Sequence, residues 1–504
     1  MKKIENKNFN LKEEIKKTIK KFNLKENWNK NIFIDIEKYK NKKFRKKKDD
    51  RKNLKYLNFI TIDGDDAKDF DDAVYCEKFE KNWKLYVAIA DVAHYVEHNS
   101  NIDKEAKRRG VSVYFPTYVI PMLPEILSNN LCSLKPGEDK YTITAEILID
   151  NNGNIKSYNF YNSLILSSAR LTYYQVEEFL KGKNIIKDNN IIININNLHG
   201  LYKILKKARE NRNAVDFDSQ EFSFIIGNNN EIKGIKNNIR LESQKIIEEC
   251  MIIANIASSL FIRKNKLNTL FRIHDQPNLE KIEDASISLK SLGYNLDHSK
   301  IPSTDEINKI LMLSKEKLDH HLVTSIILRT MARAEYSPKN IGHYGLSLKS
   351  YNHFTSPIRR YPDLVVHRII KNIIEKKQSM YNLNNLEKIG LDSSENERNA
   401  ENAEREIQSI ILCNYATKFI GKKFNAFVNS VVNFGLFISI IEEPIQGLIH
   451  ISSLGNEYFI YNEKKNILVG DKSKKTYTIG DKILVELKSA YPSEKKIDFI
   501  LVKK

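Results

Sequence analysis

Hydrophobic and polar positions divide the chain into stretches of different texture. Residues 1–55 are polar and lysine-rich, with scattered apolar positions, and are expected to form a helical or partly ordered basic arm rather than a domain. From residue 56, "YLNFITID" and "KLYVAIADVAHYV" are β-branched apolar runs bounded by polar turns, the pattern of buried strands in a mixed α/β core. Over 242–264, Ile246, Cys250, Ile253, Ala257 and Leu260 recur at helical spacing, which predicts a helix with Glu249 bordering its apolar face and Glu248 pointing away. Residues 384–418, rich in Glu and Asn, predict a second long helix. After it, "IGKKFNAFVNSVVNFGLFISI" opens a series of short strands separated by Gly and polar turns, as in a small barrel. The expected fold class is α+β, a mixed α/β body followed by a small C-terminal β-barrel.

Charge narrows the partners. The 504 residues hold 82 Lys+Arg against 64 Asp+Glu, a formal net charge of +18, and a basic protein gains affinity by neutralising phosphates and releasing their counterions. Nucleic acid is the leading candidate. Residues 1–50 alone hold 18 Lys+Arg against 8 Asp+Glu, and their "NKKFRKKKDDRK" run reads equally as a solvated linker or a nucleic-acid contact. Cys76, Cys132, Cys250 and Cys413 lie far apart without a CxxC pair, which argues against a disulfide framework and a structural zinc site. No run of 18 apolar residues occurs, so a cytoplasmic protein without a membrane span is expected.

Within this basic chain, "TIDGDDAKDFDD" places six aspartates (Asp63, Asp65, Asp66, Asp69, Asp71, Asp72) between two strand-like runs. Their mutual repulsion calls for cations, and oxygen-only ligands favour Mg²⁺ or Mn²⁺. An EF-hand is excluded, because counting from Asp63 the glycine stands second and the twelfth residue is Val74. Magnesium bound together with a substrate phosphate fits, as in two-metal phosphoryl chemistry. A second stretch, "YNHFTSPIRRYPDLVVHR", supplies Arg359 and Arg360 after a proline turn, and either guanidinium can grip a phosphate bidentately.

In chain order, "TIDGDDAKDFDDAV", "YVAIADVAHYV", "RRGVSVYFPTYVIPMLPEILSNNLCSL", "AVDFD", "IIEECMIIANIA" and "HFTSPIRRYPDLVVHR" resemble the catalytic domain of the ribonuclease II/ribonuclease R (RNB) family of exoribonucleases, closest to its ribonuclease R branch. Residues 421–504, with "GLIHISSL", resemble the OB-fold RNA-binding domain of the ribosomal protein S1 type. The resemblance implies a basic arm at 1–55, an RNB-type catalytic domain at 56–418 and an OB-fold domain at 419–504. It implies processive 3′→5′ hydrolysis of single-stranded RNA with a free 3′ end to nucleoside 5′-monophosphates, with Mg²⁺ as cofactor and Mn²⁺ as a substitute.

By position, Asp63, Asp69, Asp71 and Asp72 match the family's catalytic, metal-binding aspartates, while Asp65 and Asp66 fall where the family varies. Tyr114 and Phe217 match aromatics that sandwich the terminal bases, and Glu249 matches an acidic group near the terminal ribose, where a carboxylate accepting from the 2′-OH distinguishes RNA from DNA. Arg359 or Arg360 would hold the scissile phosphate. Phe434, Phe437 and His450 match RNA-facing positions of the barrel, and His94, His353 and His367 are expected to be structural. Family members usually carry a helix-turn-helix region and two cold-shock barrels ahead of the catalytic domain, where this sequence has 55 residues, and a Lys-rich tail where it has "FILVKK"; the resemblance therefore leaves upstream RNA funnelling and unwinding of structured RNA open. A monomer is expected, with the ribosome as a second candidate partner. The alternative reading is an RNA-binding or ribosome-associated scaffold, against which the intact aspartate set argues.

Overall fold

The computed structural model describes residues 9–40, 51–217, 221–227 and 231–502. The lysine-rich "NKKFRKKKDD" at 41–50, read above as linker or nucleic-acid contact, lies outside the described residues. The class is α+β. The two apolar runs become Phe59–Asp63 and Asn82–Ala90 within a six-stranded sheet ordered Lys52–Asn53, Ile155–Thr172, Phe59–Asp63, Asp72–Phe79, Asn82–Ala90, Asp139–Ile149. Ile155–Thr172 has 18 residues, enough to pair antiparallel with Asp139–Ile149 and then parallel with Phe59–Asp63. Phe59, Ile60, Thr61 and Ile62 are all buried, as in a strand covered on both faces. Helices Asn189–Asn211, Glu242–Lys264 and Tyr361–Ile374 supply that cover and share one hydrophobic cluster with the sheet.

Glu242–Lys264 buries Ile246, Cys250, Ile253 and Ala257 as the spacing predicted, whereas Leu260 is partly exposed because the helix edge rather than its centre carries it. The barrel is closed by five strands: Lys423–Val432, Gly435–Ile440, Gln446–His450, Lys496–Leu501 and Lys482–Tyr491. Its core is continuous with apolar residues of helices Leu279–Ser291, Thr304–Ser314 and His320–Thr330.

Residues 9–40 are helical, one of the forms expected of the arm, but they are packed rather than extended. They form two helices, Leu11–Lys21 and Lys30–Lys40, both seated on the body. Asn10 caps the first by accepting from the backbone N–H groups of Lys12 and Glu13. Leu11, Ile15 and Ile19 recur once per turn and are buried against Ala400, Ala403, Ile407 and Ile411, each contributing about 1.5–3 kcal/mol by burial. The second helix buries Ile32, Ile36 and Tyr39 in the main core. One apolar residue per turn looks scattered in a linear reading and forms a stripe only on a helix.

The long helix Leu383–Ala416, predicted at 384–418, touches nearly every other part of the fold. Along it, Ser394 accepts from the Tyr336 backbone N–H at 2.9 Å, Glu397 pairs with Arg272, Asn399 donates to the Phe22 carbonyl at 2.9 Å, and Glu404 accepts from the Tyr114 N–H at 2.7 Å. Glu406 binds Lys21 of the first helix and Lys495 of the barrel, each at 2.8 Å. Gly390 lets the strand Ala334–Ser337 cross this helix closely, since a Cβ there would lie 2.5 Å from the Tyr336 carbonyl oxygen.

Candidate active site

Asp63 ends one strand and Asp72 begins the next, and the two strands pair only at Ile60 with Val74, so they splay toward the loop between them. That loop is held at each point by hydrogen bonds. Arg170 Nη2 donates to the carbonyls of Gly64 at 2.5 Å and Asp65 at 2.8 Å. Ser133 Oγ accepts from Phe70 N–H at 3.0 Å and donates to the Lys68 carbonyl at 2.8 Å. Asp71 Oδ1 accepts from the Ile358 N–H at 2.9 Å, which ties the loop to the proline turn carrying the two arginines.

Asp63, Asp69, Asp71 and Asp72 face one region, whereas Asp65 and Asp66 are exposed to solvent. Burial raises the pKa of all four, and neighbouring carboxylates push Asp63, Asp71 and Asp72 further up; Asp71 stands well above the ordinary carboxylate range and Asp72 is raised to about 7. Arg359 opposes the rise at each of the four. Asp72 Oδ2 is buried with no hydrogen-bond partner. Among the described residues no three His, Cys, Asp or Glu side chains already converge as a complete ion-binding group. The carboxylates therefore offer a partial oxygen-ligand set of the kind that Mg²⁺ completes with water and phosphate.

The two arginines separate. The Arg359 guanidinium is about half exposed, with Nε 3.9 Å from Asp71 Oδ2. Arg360 points away from the aspartates and is gripped by Asp363 through Nε–Oδ2 at 2.9 Å and Nη2–Oδ1 at 2.7 Å. Of the two arginines offered by the sequence for the scissile phosphate, Arg360 is already occupied by a buried carboxylate three residues along, and Arg359 is the freer.

Tyr114 sits on the hairpin Val113–Phe115/Tyr118–Ile120, 40% exposed, and the charges of Asp69 and Asp71 add to burial in raising its phenol's pKa. Phe217 is half-buried against the cluster shared by the barrel, whereas Val113 and Phe115, which flank Tyr114, belong to a second cluster. Glu249 is buried and held by Arg209 at 2.8 Å; the same guanidinium reaches Glu248 at 3.0 Å and Asp216, beside Phe217, at 3.6 Å. In the barrel, Phe434 and Phe437 are exposed with their rings edge to face at 6.0 Å, and Gly435 pairs with exposed His450 across the strands. His367 is buried and its Nε2 donates to the Phe354 carbonyl at 2.7 Å, while His353 is partly buried with Nδ1 2.9 Å from the Tyr336 hydroxyl. His94 packs edge-on against Tyr95 and Tyr141.

Sequence reasoning missed Arg170, Tyr173, Arg209 and Asp363. The Tyr173 phenol is pushed up by burial and by the charges of Asp72 and Asp63. Its position follows from the parallel register of Asp63 with Thr172, a pairing over a long separation that no local pattern announces. Asp363 had a readable signal, a carboxylate at i+3 from Arg360 at a helix start.

Comparison with known proteins agrees with this geometry. The RNB domain family matches residues 51–376, and the S1 RNA binding domain matches 417–499. Ribonuclease R of Escherichia coli is 40% identical over 466 residues, covering 90% of this chain and 57% of the relative; ribonuclease R of Aquifex aeolicus is 35% identical, covering 96% and 70%. The solved structure of Mycoplasma genitalium RNase R in complex with ribose methylated single-stranded RNA superimposes with a TM-score of 0.92 at 30% identity, covering 98% of this chain and 78% of that one. The chain spans little more than half the length of the E. coli relative.

Proposed function

The chain belongs to the RNB family, and from that premise we propose that it is a 3′→5′ exoribonuclease hydrolysing single-stranded RNA processively to nucleoside 5′-monophosphates. The observation that carries this reading is the set of four mutually repelling carboxylates, Asp71 buried and Asp63, Asp69 and Asp72 partly so, opposed by one half-exposed guanidinium. Ribonucleases of the family are metal-dependent. Here the hard-oxygen donors and the unpartnered Asp72 Oδ2 fit Mg²⁺, with Mn²⁺ as a substitute, held by Asp63, Asp69, Asp71 and Asp72. Bound there, such ions supply an activated water and neutralise the leaving oxygen in an in-line displacement.

The chain's own groups do the rest. Arg359 grips the scissile phosphate, while Tyr114 and Phe217 stack on bases of any identity. Glu249, oriented by Arg209, accepts from a 2′-OH and so favours RNA over DNA. Phe434, Phe437 and His450 give the barrel at 419–504 a capture surface, and 56–418 forms the catalytic unit. A non-catalytic scaffold has no use for four clustered, partly desolvated acids whose repulsion weakens the fold.

The test is a 5′-labelled single-stranded RNA incubated with Mg²⁺ or EDTA. A ladder shortening from the 3′ end, release of nucleoside 5′-monophosphates and silence in EDTA are expected. Internal cuts, or equal cleavage of DNA, would remove the claim.

A further inference from the structure

The segment joining the first two helices makes contacts that the reading above leaves unused. Arg109, the last residue of helix Asn101–Arg109, has a side chain only 4% exposed. Its guanidinium lies 3.7 Å from the centre of the Trp28 ring and donates to the carbonyls of Asn27 and Pro121, each at 3.1 Å, and to Glu105 at 2.9 Å. Across the hairpin tip, the Tyr118 hydroxyl donates to Glu26 at 2.9 Å. Below it, Leu11, Ile15 and Ile19 of the first helix pack with Val113, Phe115 and Ile120, the hairpin residues flanking Tyr114.

We propose that the Trp28–Arg109 pair is a positioning node through which residues 9–40 set the placement of Tyr114 and Arg359. Gly110, at φ +72°, turns the chain after Arg109, and its carbonyl accepts from Tyr361 N–H at 2.9 Å. Val111 bridges Arg360, and Ser112 N–H donates to the Arg359 carbonyl at 3.0 Å. Two residues later the same strand presents Tyr114. One fixed guanidinium therefore governs the backbone of both the arginine and the tyrosine. Its planar fork satisfies three acceptors while its face rests on an indole, an arrangement that a lysine ammonium cannot reproduce. The sequence reads this segment as part of a basic arm, whereas Glu26, Asn27 and Trp28 contact the Tyr114 hairpin and Arg109.

The inference rests on the proposed roles of Tyr114 and Arg359, and the experiment separates the two. The full chain and its Trp28→Ala, Trp28→Tyr, Tyr118→Phe and Tyr114→Ala variants are assayed at saturating short RNA carrying 2-aminopurine at its 3′ end, with melting curves for each. Trp28→Ala is expected to keep a cooperative melt but lose about tenfold or more in kcat, since a displacement of about 1 Å remote from the chemistry can cost about 100-fold. Its 2-aminopurine quench weakens in parallel. Trp28→Tyr, which retains a ring face for the guanidinium, restores most of both. Tyr118→Phe removes a single hydrogen bond and is expected to lose about two- to tenfold in kcat, the scale of one such bond; it decides the question if Trp28→Ala fails to fold. Parental kcat and quench in the folded Trp28→Ala, or in Tyr118→Phe where Trp28→Ala does not fold, overturn the node. An unchanged quench in Tyr114→Ala overturns instead the stacking role of Tyr114, and kcat alone then judges the node through Arg359.

Discussion

Arg359 and Arg360 are neighbours of equal charge in opposite surroundings. Removing Arg360 would leave Asp363, fully buried, without its partner, so Arg360→Ala is expected to lower stability by about 3–5 kcal/mol in urea unfolding. Arg359→Ala should leave unfolding nearly unchanged, because its pairing is long and half-exposed, and instead reduce RNA cleavage. Asp72→Asn should raise the cleavage barrier by about 3 kcal/mol or more while RNA binding persists. The same change should raise the melting temperature in EDTA at pH 8. With its pKa raised to about 7, the ionised Asp72 carboxylate costs the native state stability above that pH, and the cost fades as pH falls toward the unfolded value. Lost activity joined to gained stability distinguishes a functional acid from a structural one. At this scale the aspartates were legible because six acids between two apolar runs need cations. The two arginines were not separable, since the choice depends on which side of the turn each backbone faces.

The proposed function gives the aspartate loop and the barrel separate duties, each open to its own test. Because ions held by the loop bind the native state alone, millimolar Mg²⁺ should raise the melting temperature of the parent and not of Asp72→Asn, read by differential scanning fluorimetry. In the barrel, Phe434→Ala with Phe437→Ala should raise KM for long RNA and leave kcat nearly unchanged, the mark of lost uniform binding. Point substitution suits this test better than deleting the barrel, whose core residues also bury Ile282, Leu289, Ile310 and Val323 of the neighbouring helices. Element identity was readable wherever periodicity ran long, as in Glu242–Lys264. For residues 9–40 helix was readable but its docking was not, because the stripe Leu11, Ile15 and Ile19 meets Ala403 and Ile407 far along the chain, and Ile32 and Ile36 enter the main core.

For the whole molecule, acid sensitivity follows from buried imidazoles. His367 is held neutral, its pKa lowered to about 4 by burial, with Asp91, Asp363 and Lys371 as its charged neighbours. A base with a depressed pKa contributes full stability above its unfolded value of about 6.5 and loses it as pH falls toward the folded value, at about 1.4 kcal/mol per pH unit. His367→Gln, which keeps a donor for the Phe354 carbonyl, should flatten the stability profile between pH 6.5 and 4 by that slope, measured by urea unfolding across the range. The long helix Leu383–Ala416 sets a different kind of limit. Ser394, Glu397, Asn399, Glu404 and Glu406 must meet partners on a strand, the first helix, the Tyr114 hairpin and the barrel in fixed rotational phase. One inserted residue turns everything beyond it by about 100° and advances it about 1.5 Å. Between these five positions its composition is therefore free to drift while its count is not, and descendants of this chain should differ in length only outside the span from Ser394 to Glu406.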